Sequence, residues 1–190
     1  MSTIKANYLL DAAGTGAPSF TNGMKADVFR DLSDVERARF ASGYFRLAGG
    51  GIQFNGDTAA ANALNDYETG TWTPTIFGTT TAGVGTYSTQ SAAYVKIGTL
   101  VFFTGIVAIT AHTGTGGMRV GGLPFVAATL GTVTVGYSNL TVPASSIVGG
   151  SVVGGANSIQ LVSYTTAAAG QADLTIDPAC TIFINGVYSA

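Results

Sequence analysis

Charge is scarce in the C-terminal part of this sequence. Eight basic and ten acidic residues occur among the 190, yet only Lys96, Arg119, Asp173 and Asp177 lie beyond residue 68. A soluble domain usually draws about a quarter of its residues from the charged set. Residues 69–190 therefore need another way to bury apolar surface, and tight association with copies of the same chain would provide it. The sequence predicts an assembly protein with a charged N-terminal part and a nonionic C-terminal part.

Cysteine, histidine and long apolar runs are also scarce. Cys180 is the only cysteine, which excludes an internal disulfide, and its apolar neighbours predict a buried, unreactive thiol. His112, the only histidine, is expected in an exposed turn and does not provide the ligands of a zinc site. No stretch approaches the roughly 20 apolar residues of a membrane span, and the first residues lack the apolar core of a signal peptide. We therefore expect no membrane insertion. Because the net charge is −2, with no clustered basic face, we also expect no nucleic-acid binding.

The residue patterns of common enzymes are missing. There is no Gly-x-Ser-x-Gly elbow, and the C-terminal part offers only the carboxylates Asp173 and Asp177, whose spacing near a strand end predicts turn and cap residues. A glycosidase needs two carboxylates that flank the scissile bond. The glycine clusters at residues 114–117 and 149–155 are not followed by the Lys-Ser/Thr of a phosphate loop and predict β-turns and bulges. We therefore expect no enzymatic activity, no catalytic, cofactor-binding or metal site, and no cofactor.

The N-terminal part, residues 1–48, is predicted to be an extended attachment segment with a short helix. Residues 1–23 have too little apolar surface to order alone, so we expect them to lie against a partner. Ser33 and Glu36 form a capping box, and Val35 and Ala38 continue the helical spacing as far as Gly43. The mixed charges of residues 25–46 are typical either of a solvated helix or of a polar contact with a partner.

Beyond a predicted neck or linker at residues 49–70, the sequence period becomes that of β-strands. The neck itself includes a strand-like stretch at 52–54 and a possible helical turn within 59–64. Many short strands separated by glycine and proline, with no helices between them, are typical of a sandwich or barrel. We predict a mainly β protein with an antiparallel, jelly-roll-like β-sandwich head at residues 71–190. The candidate strands are 72–77, 85–89, 92–97, 100–109, 117–121, 132–137, 147–153, 158–164, 172–176 and 181–188.

A hairpin at the centre of the head is the clearest element. Gly98 and Thr99 form a two-residue link suited to a tight primed turn between residues 94–97 and the strand 100–109. Both faces of the second strand are apolar: Leu100, Phe102 and Ile106 lie on one, and Val101, Phe103 and Val107 on the other. One face is expected in the sandwich core and the other against a partner. Alternatively, loops of the same chain cover the second face.

Several of these stretches resemble one known family. Residues 65–74, NDYETGTWTP, resemble the linker and first strand of a module at the C-terminal end of many phage tail-fibre and appendage proteins. Residues 85–103 are similar to its core hairpin, 121–125 (GGLPF) to its "GLPF" turn and 183–188 (FINGVY) to its last strand. At the other end, residues 7–24 resemble the opening of phage fibre and virion-adaptor chains.

The resemblance implies a homotrimeric virion protein on a phage tail or other external appendage, assembled in the host cytoplasm. Residues 1–46 would attach to other virion proteins, and the C-terminal head would contact the host surface. A host-surface glycan is the expected ligand there, with Tyr137 and Tyr164 as candidates for stacking on sugars. The alternative is a head decoration, cement or adaptor protein with a purely structural role. A third interpretation, an enzyme that acts on cell-wall glycans, is disfavoured by the missing carboxylate pair.

Overall fold

The computed structural model describes residues 28–30, 33, 35–49, 51–56, 59–64, 66–165 and 170–190. The chain divides into two compact units, Met1–Gly51 and Ile52–Ala190. The extended segment predicted at residues 1–23, and the family resemblance of residues 7–24, lie outside the described residues. The division into an attachment segment, a neck at 49–70 and a head at 71–190 stays a prediction.

In the first unit, residues predicted to be helical form the middle strand of a three-stranded antiparallel sheet. Its strands are β1 (Val28–Arg30), β2 (Glu36–Ala41) and β3 (Tyr44–Leu47), in the order β1-β2-β3. The predicted short helix is therefore wrong, and the described residues contain no α-helix. Ser42 and Gly43, expected to stop the helix, form the two-residue turn between β2 and β3.

The physical reason for this difference lies in the hairpin. Ser42 and Gly43 have φ angles of 52° and 81°, and two consecutive positive φ angles are the requirement of a type I′ hairpin turn. The turn pairs Phe40 with Phe45 at a ring-centroid distance of 5.2 Å, and Phe29 lies 6.4 Å from Phe40. A helix over the same residues would lose these cross-strand aromatic contacts, each worth about 0.5–1.5 kcal/mol. One capping box does not outweigh them.

The second unit begins with a short irregular stretch. The helical turn predicted within residues 59–64 is the 3₁₀ helix η1 (Ala60–Asn62). Nearby, Ile52 and Leu64 form an isolated antiparallel bridge, in which each backbone N–H donates to the other residue's carbonyl at 2.9 and 2.8 Å. The strand-like stretch predicted at 52–54 is thus reduced to one bridge residue.

The rest of the second unit is one antiparallel sheet of ten strands that curls into a half-barrel, which confirms the predicted mainly β, antiparallel class. Nine strands follow the order β4-β6-β7-β13-β9-β10-β11-β8-β5, and β12 pairs with β11. The two strands predicted at 85–89 and 92–97 are one strand, β6, which is irregular near Tyr87. The strands are β4 (Tyr67–Trp72), β5 (Thr75–Gly78), β6 (Gly85–Ile97), β7 (Leu100–His112), β8 (Met118–Gly121), β9 (Gly131–Ser138), β10 (Ser146–Val152), β11 (Ser158–Thr165), β12 (Gln171–Asp173) and β13 (Cys180–Ser189).

The core on the inner side of the curled sheet combines large aromatic side chains with glycines. Phe103 packs edge-on against Trp72 and Tyr188, at centroid distances of 6.2 and 5.9 Å. Gly186 leaves room for this cluster, because a Cβ built there would lie 2.8 Å from the Phe103 ring and 2.4 Å from the carbonyl oxygen of Thr132. The close packing of β13 between β7 and β9 therefore requires glycine at position 186.

Candidate functional site

The outward side chains of β6, β7, β13 and β9 form a surface without charge, called the outer face below. Strand register arranges it in three rows that cross the four strands. The rows are Val95–Phe102–Val187–Thr132, Ala93–Thr104–Asn185–Thr134 and Ser91–Ile106–Phe183–Gly136. Two mainly apolar rows, each with one hydroxyl residue at an end, thus flank a central row of hydroxyl, amide and methyl groups.

The two sides of the apolar strand β7 differ in exposure, and only one of them contributes to the outer face. Val101 and Phe103 are 0% and 4% exposed and both point into the core, whereas Phe102 is 46% exposed. The sequence left open which side of β7 faces outward. The structure shows that it is the side of Phe102, and not that of Val101 and Phe103. In the described residues, loops of the same chain do not cover the side of β7 that carries Leu100 and Phe102, because Leu100 is also 41% exposed.

The outer face is open and extends towards β4. Two adjoining grooves, of about 580 and 670 Å³, run over it and share Ala93, Thr104, Thr134 and Asn185 in their lining. Neither is an enclosed cavity, so the surface is better suited to a broad contact than to enclosing a small molecule. A fourth row, Tyr67–Ile97–Leu100, continues the apolar surface to the edge of the sheet, with exposed fractions of 68%, 42% and 41%.

Sequence reasoning identified the β7 part of this surface but missed its other half. Phe183 is 46% exposed and Val187 is partly buried; both lie on β13, which was recognised as a strand but not as a neighbour of β7. A signal was present, because Phe183 alternates with the fully buried Ile182 and Ile184. That alternation shows two-sided apolar character, as in β7.

The two carboxylates of the head are held by structural contacts. Asp173 accepts hydrogen bonds from Arg119 Nη2 at 3.1 Å and from Gln160 Nε2 at 2.6 Å, which joins β8, β11 and β12. Asp177 accepts backbone N–H groups of Thr141 at 2.8 Å and Ala179 at 3.1 Å. The sequence predicted turn and cap residues for this pair. Asp177 binds backbone N–H groups outside the strands, and Asp173 is the last residue of β12.

These contacts shift the acid–base behaviour of both carboxylates. Partial burial acts to raise the pKa of Asp173, but the hydrogen bonds from Gln160 and Arg119 and the charge of Arg119 outweigh it, so the pKa is lowered. The pKa of Asp177 is lowered for a similar reason, since backbone hydrogen bonds from Ala179 and Thr141 exceed the effect of burial.

We expect the free energy of unfolding to fall in acid because of these two groups. A carboxylate whose folded pKa lies below its unfolded value stabilises the fold above the unfolded pKa, about 3.9 for Asp, and this stabilisation is lost as pH falls through the folded pKa. The free energy of unfolding, measured by denaturant titration, should therefore fall less between about pH 5 and pH 3 for an Asp173→Asn, Asp177→Asn double variant than for the wild type. An unchanged pH dependence in the double variant would contradict this assignment.

His112 has a structural position. It is the last residue of β7 and is partly buried, so the exposed turn expected from the sequence is wrong. Its Nδ1 accepts the N–H of Gly114 at 2.9 Å, which places the proton on Nε2, and Nε2 lies 3.0 Å from the carbonyl oxygen of Ile76. The imidazole therefore connects the end of β7 to β5 and to the following loop.

Cys180 is buried, as the sequence predicted, and is 3% exposed. Burial, together with the nearby carboxylate of Asp177, raises the pKa of its thiol to about 11. Because the thiolate is the reactive form, we expect a disulfide reagent at about pH 8 to leave the folded protein unmodified and to react with it fully after unfolding. Rapid labelling of the folded protein would contradict this expectation and show that the start of β13, where Cys180 lies, opens to solvent.

The two tyrosines suggested as sugar-stacking residues have different surroundings, although each is 44% exposed. Tyr164 lies on β11 with an edge of its ring beside Gly149 of β10, where an added Cβ would be 2.8 Å from its Cε2 atom. Its hydroxyl donates to Oε1 of Gln171 at 3.3 Å. Tyr137 lies on β9, opposite Ile182 of β13.

Among the described residues, no group of three or more His, Cys, Asp or Glu side chains is arranged to hold a metal ion. Within the described ranges, no helix has the length and apolar character needed to cross a membrane.

Comparison with known proteins gives a likeness in fold. No family model and no curated protein matches the sequence. The crystal structure of Dettilon tailspike protein (gp208) matches with a TM-score of 0.54 and 13% sequence identity, over 65% of this chain and 24% of that one. The chain thus spans about a quarter of the tailspike's length. The structure has a fold like that of part of a phage tail appendage protein.

Proposed function

We propose that this chain is a structural protein of a phage virion, a short homotrimeric tail fibre or fibre tip. It attaches through residues 1–46 and contacts the host surface through its head. The observation that carries the proposal is the outer face, an apolar surface without charge that is exposed in the single chain. The likeness in fold to a tailspike supports a place on the virion. The trimer and the tip module are what the sequence resemblance implies.

The outer face supports self-association on energetic grounds. Burying a fully exposed large apolar side chain contributes about 1.5–3 kcal/mol, so a half-exposed one contributes about half of that. Phe102 and Phe183 are both in this class, and Ile97, Leu100 and Tyr67 continue the surface with 41–68% exposure. The central row with Thr104 and Asn185 adds uncharged groups that can form hydrogen bonds across a contact.

The small N-terminal sheet supports attachment to another protein. Phe40, Phe45 and Leu47 share one face and are 58%, 55% and 41% exposed, and among the described side chains of the sheet Ala38 is the buried hydrophobic one. A sheet normally buries its apolar face against another element. Docking onto another virion protein would cover it, in agreement with the attachment function proposed for residues 1–46.

We propose that the head binds the host surface without cleaving its polysaccharides. Asp173 and Asp177 are both engaged in hydrogen bonds that join parts of the fold, which favours a structural use of these carboxylates. Incubation of the purified protein with host-surface polysaccharide should release no new reducing ends. Their release, lost in an Asp173→Asn or Asp177→Asn variant, would contradict this part of the proposal.

Adsorption experiments separate the proposed function from a purely structural decoration or cement function. The purified protein should bind susceptible cells and compete with phage adsorption, and particles that lack it should keep intact capsids and tails but adsorb poorly. Binding should depend little on salt, because the contact is uncharged. Particles that fall apart without the protein, while the purified protein neither binds cells nor competes, would favour the structural alternative.

A further inference from the structure

One aromatic ring on the head is held at two points and remains partly exposed. Tyr164 stands on β11 between Ile147 of β10 and Gln171 of β12, its direct cross-strand neighbours. The edge of the ring meets Gly149, which lies diagonally from it. A Cβ at that position would lie 2.8 Å from Cε2 and 3.6 and 3.8 Å from the two neighbouring ring atoms, so a larger residue there would displace the ring. One edge of the ring therefore lies against β10, and 44% of the residue remains exposed.

The polar end of the same ring is also held. The Tyr164 hydroxyl donates to Gln171 Oε1 at 3.3 Å, and this bond orients the Gln171 amide beside the ring. The Nε2 group of that amide carries two N–H donors. A tyrosine fixed in this way provides a large contact area and loses little conformational entropy when it binds.

The charges on the neighbouring rows are paired. Asp173, two residues along β12 from Gln171, is bound to Arg119 and Gln160. The patch therefore combines an apolar ring face and amide groups with mutually compensated charge. These are the properties that match a sugar ring, which has an apolar C–H face and hydroxyl groups at its edge.

We propose that Tyr164 and Gln171, supported by Gly149, form a saccharide-binding platform for a neutral sugar residue. The ring stacks on the C–H face of the sugar, and the Gln171 amide forms hydrogen bonds with its hydroxyls. This inference rests on the proposed function in host attachment and names the class of ligand and the place where it binds. It assigns a function to Gly149 and Gln171, which the sequence did not indicate.

The test is a titration of the full-length protein with neutral oligosaccharides of glucose, galactose, rhamnose and N-acetylglucosamine, followed by saturation-transfer NMR. At least one series should bind, and Tyr164→Ala should weaken that binding about tenfold or more, as expected for an aromatic anchor. Gly149→Ala should also weaken it, because the added methyl group displaces the ring while the aromatic residue is kept. Tyr164→Phe should retain the stacking contact and lose part of the affinity through the released Gln171.

Tyr137→Ala is the matched control, since Tyr137 is exposed to the same extent. It should bind like the wild type, and all variants should keep the wild-type circular dichroism spectrum and mass. Absence of binding to every oligosaccharide, or equal losses in Tyr164→Ala and Tyr137→Ala, would overturn the platform. If the Tyr164→Ala variant still binds cells, the platform is not the attachment site. The proposed function in host attachment would remain in place. Failure of the wild type itself to bind cells would instead count against the proposed function.

Discussion

Phe102→Lys is expected to convert a self-associated protein into a folded monomer. Phe102 lies in an apolar row of the outer face, between Val95 and Val187, and is 46% exposed in the single chain. A lysine there can reach water in the monomer, so the fold should survive. In the associated state the same charge would be buried without a partner, once per copy, at a cost of several kcal/mol each. We expect association to weaken at least about 100-fold, equivalent to about 2.7 kcal/mol.

Sedimentation velocity and circular dichroism together measure this effect. Val84→Lys is the control, because Val84 is 76% exposed and lies before β6, away from the outer face, so this variant should associate like the wild type. A Phe102→Lys protein that keeps its association state would show that copies meet through another surface. Val101→Lys should unfold the head instead of only preventing association, because Val101 is fully buried.

Gly186→Ala is expected to destabilise the head more than a single methyl group normally does. The new Cβ would lie 2.4 Å from the Thr132 carbonyl oxygen and 2.8 Å from Cζ of Phe103. Gly186 pairs with Phe103 of β7 on one side and Val133 of β9 on the other, so neither neighbouring strand can move away freely. Overpacking of this kind costs about 1–3 kcal/mol. Denaturant titration should show this loss of unfolding free energy.

Gly154→Ala provides the comparison for this variant. The nearest atoms to a Cβ at Gly154 lie 3.4 Å away, an ordinary contact distance. Its stability should stay within about 0.5 kcal/mol of the wild type. If both variants have the same stability, then the packing of β13 between β7 and β9 is looser than the structure indicates.

Much of the head could be predicted because its signals are local. Alternating apolar residues with glycine between them gave the strands, and the Gly98–Thr99 link gave the central hairpin, in which Ile97 pairs with Leu100 and Gly98 has a φ of 58°. The N-terminal sheet was missed because a local capping signal at Ser33 and Glu36 competed with aromatic pairs between strands. Such pairs form only once the chain has turned, so a search for helical spacing does not detect them.

The outer face could be predicted only in part, for a different reason. A strand with two apolar sides does not indicate which side faces the core, and Phe102 and Phe103 look alike in the sequence. The neighbours of β7 are also distant in sequence, since Phe102 pairs with Val95 nearby but with Val187 near the end of the chain. The rows that define the surface depend on that long-range pairing. The same is true of Tyr164, whose support comes from Gly149 and Gln171 on two other strands.

The proposed self-association can be tested by the mass of the wild-type protein in solution. Sedimentation equilibrium at micromolar concentration measures it without reference to shape. We expect a mass of three chains, held together through the exposed, uncharged outer face. A stable, well-behaved species with the mass of one chain would contradict this expectation, because that face would then have no partner.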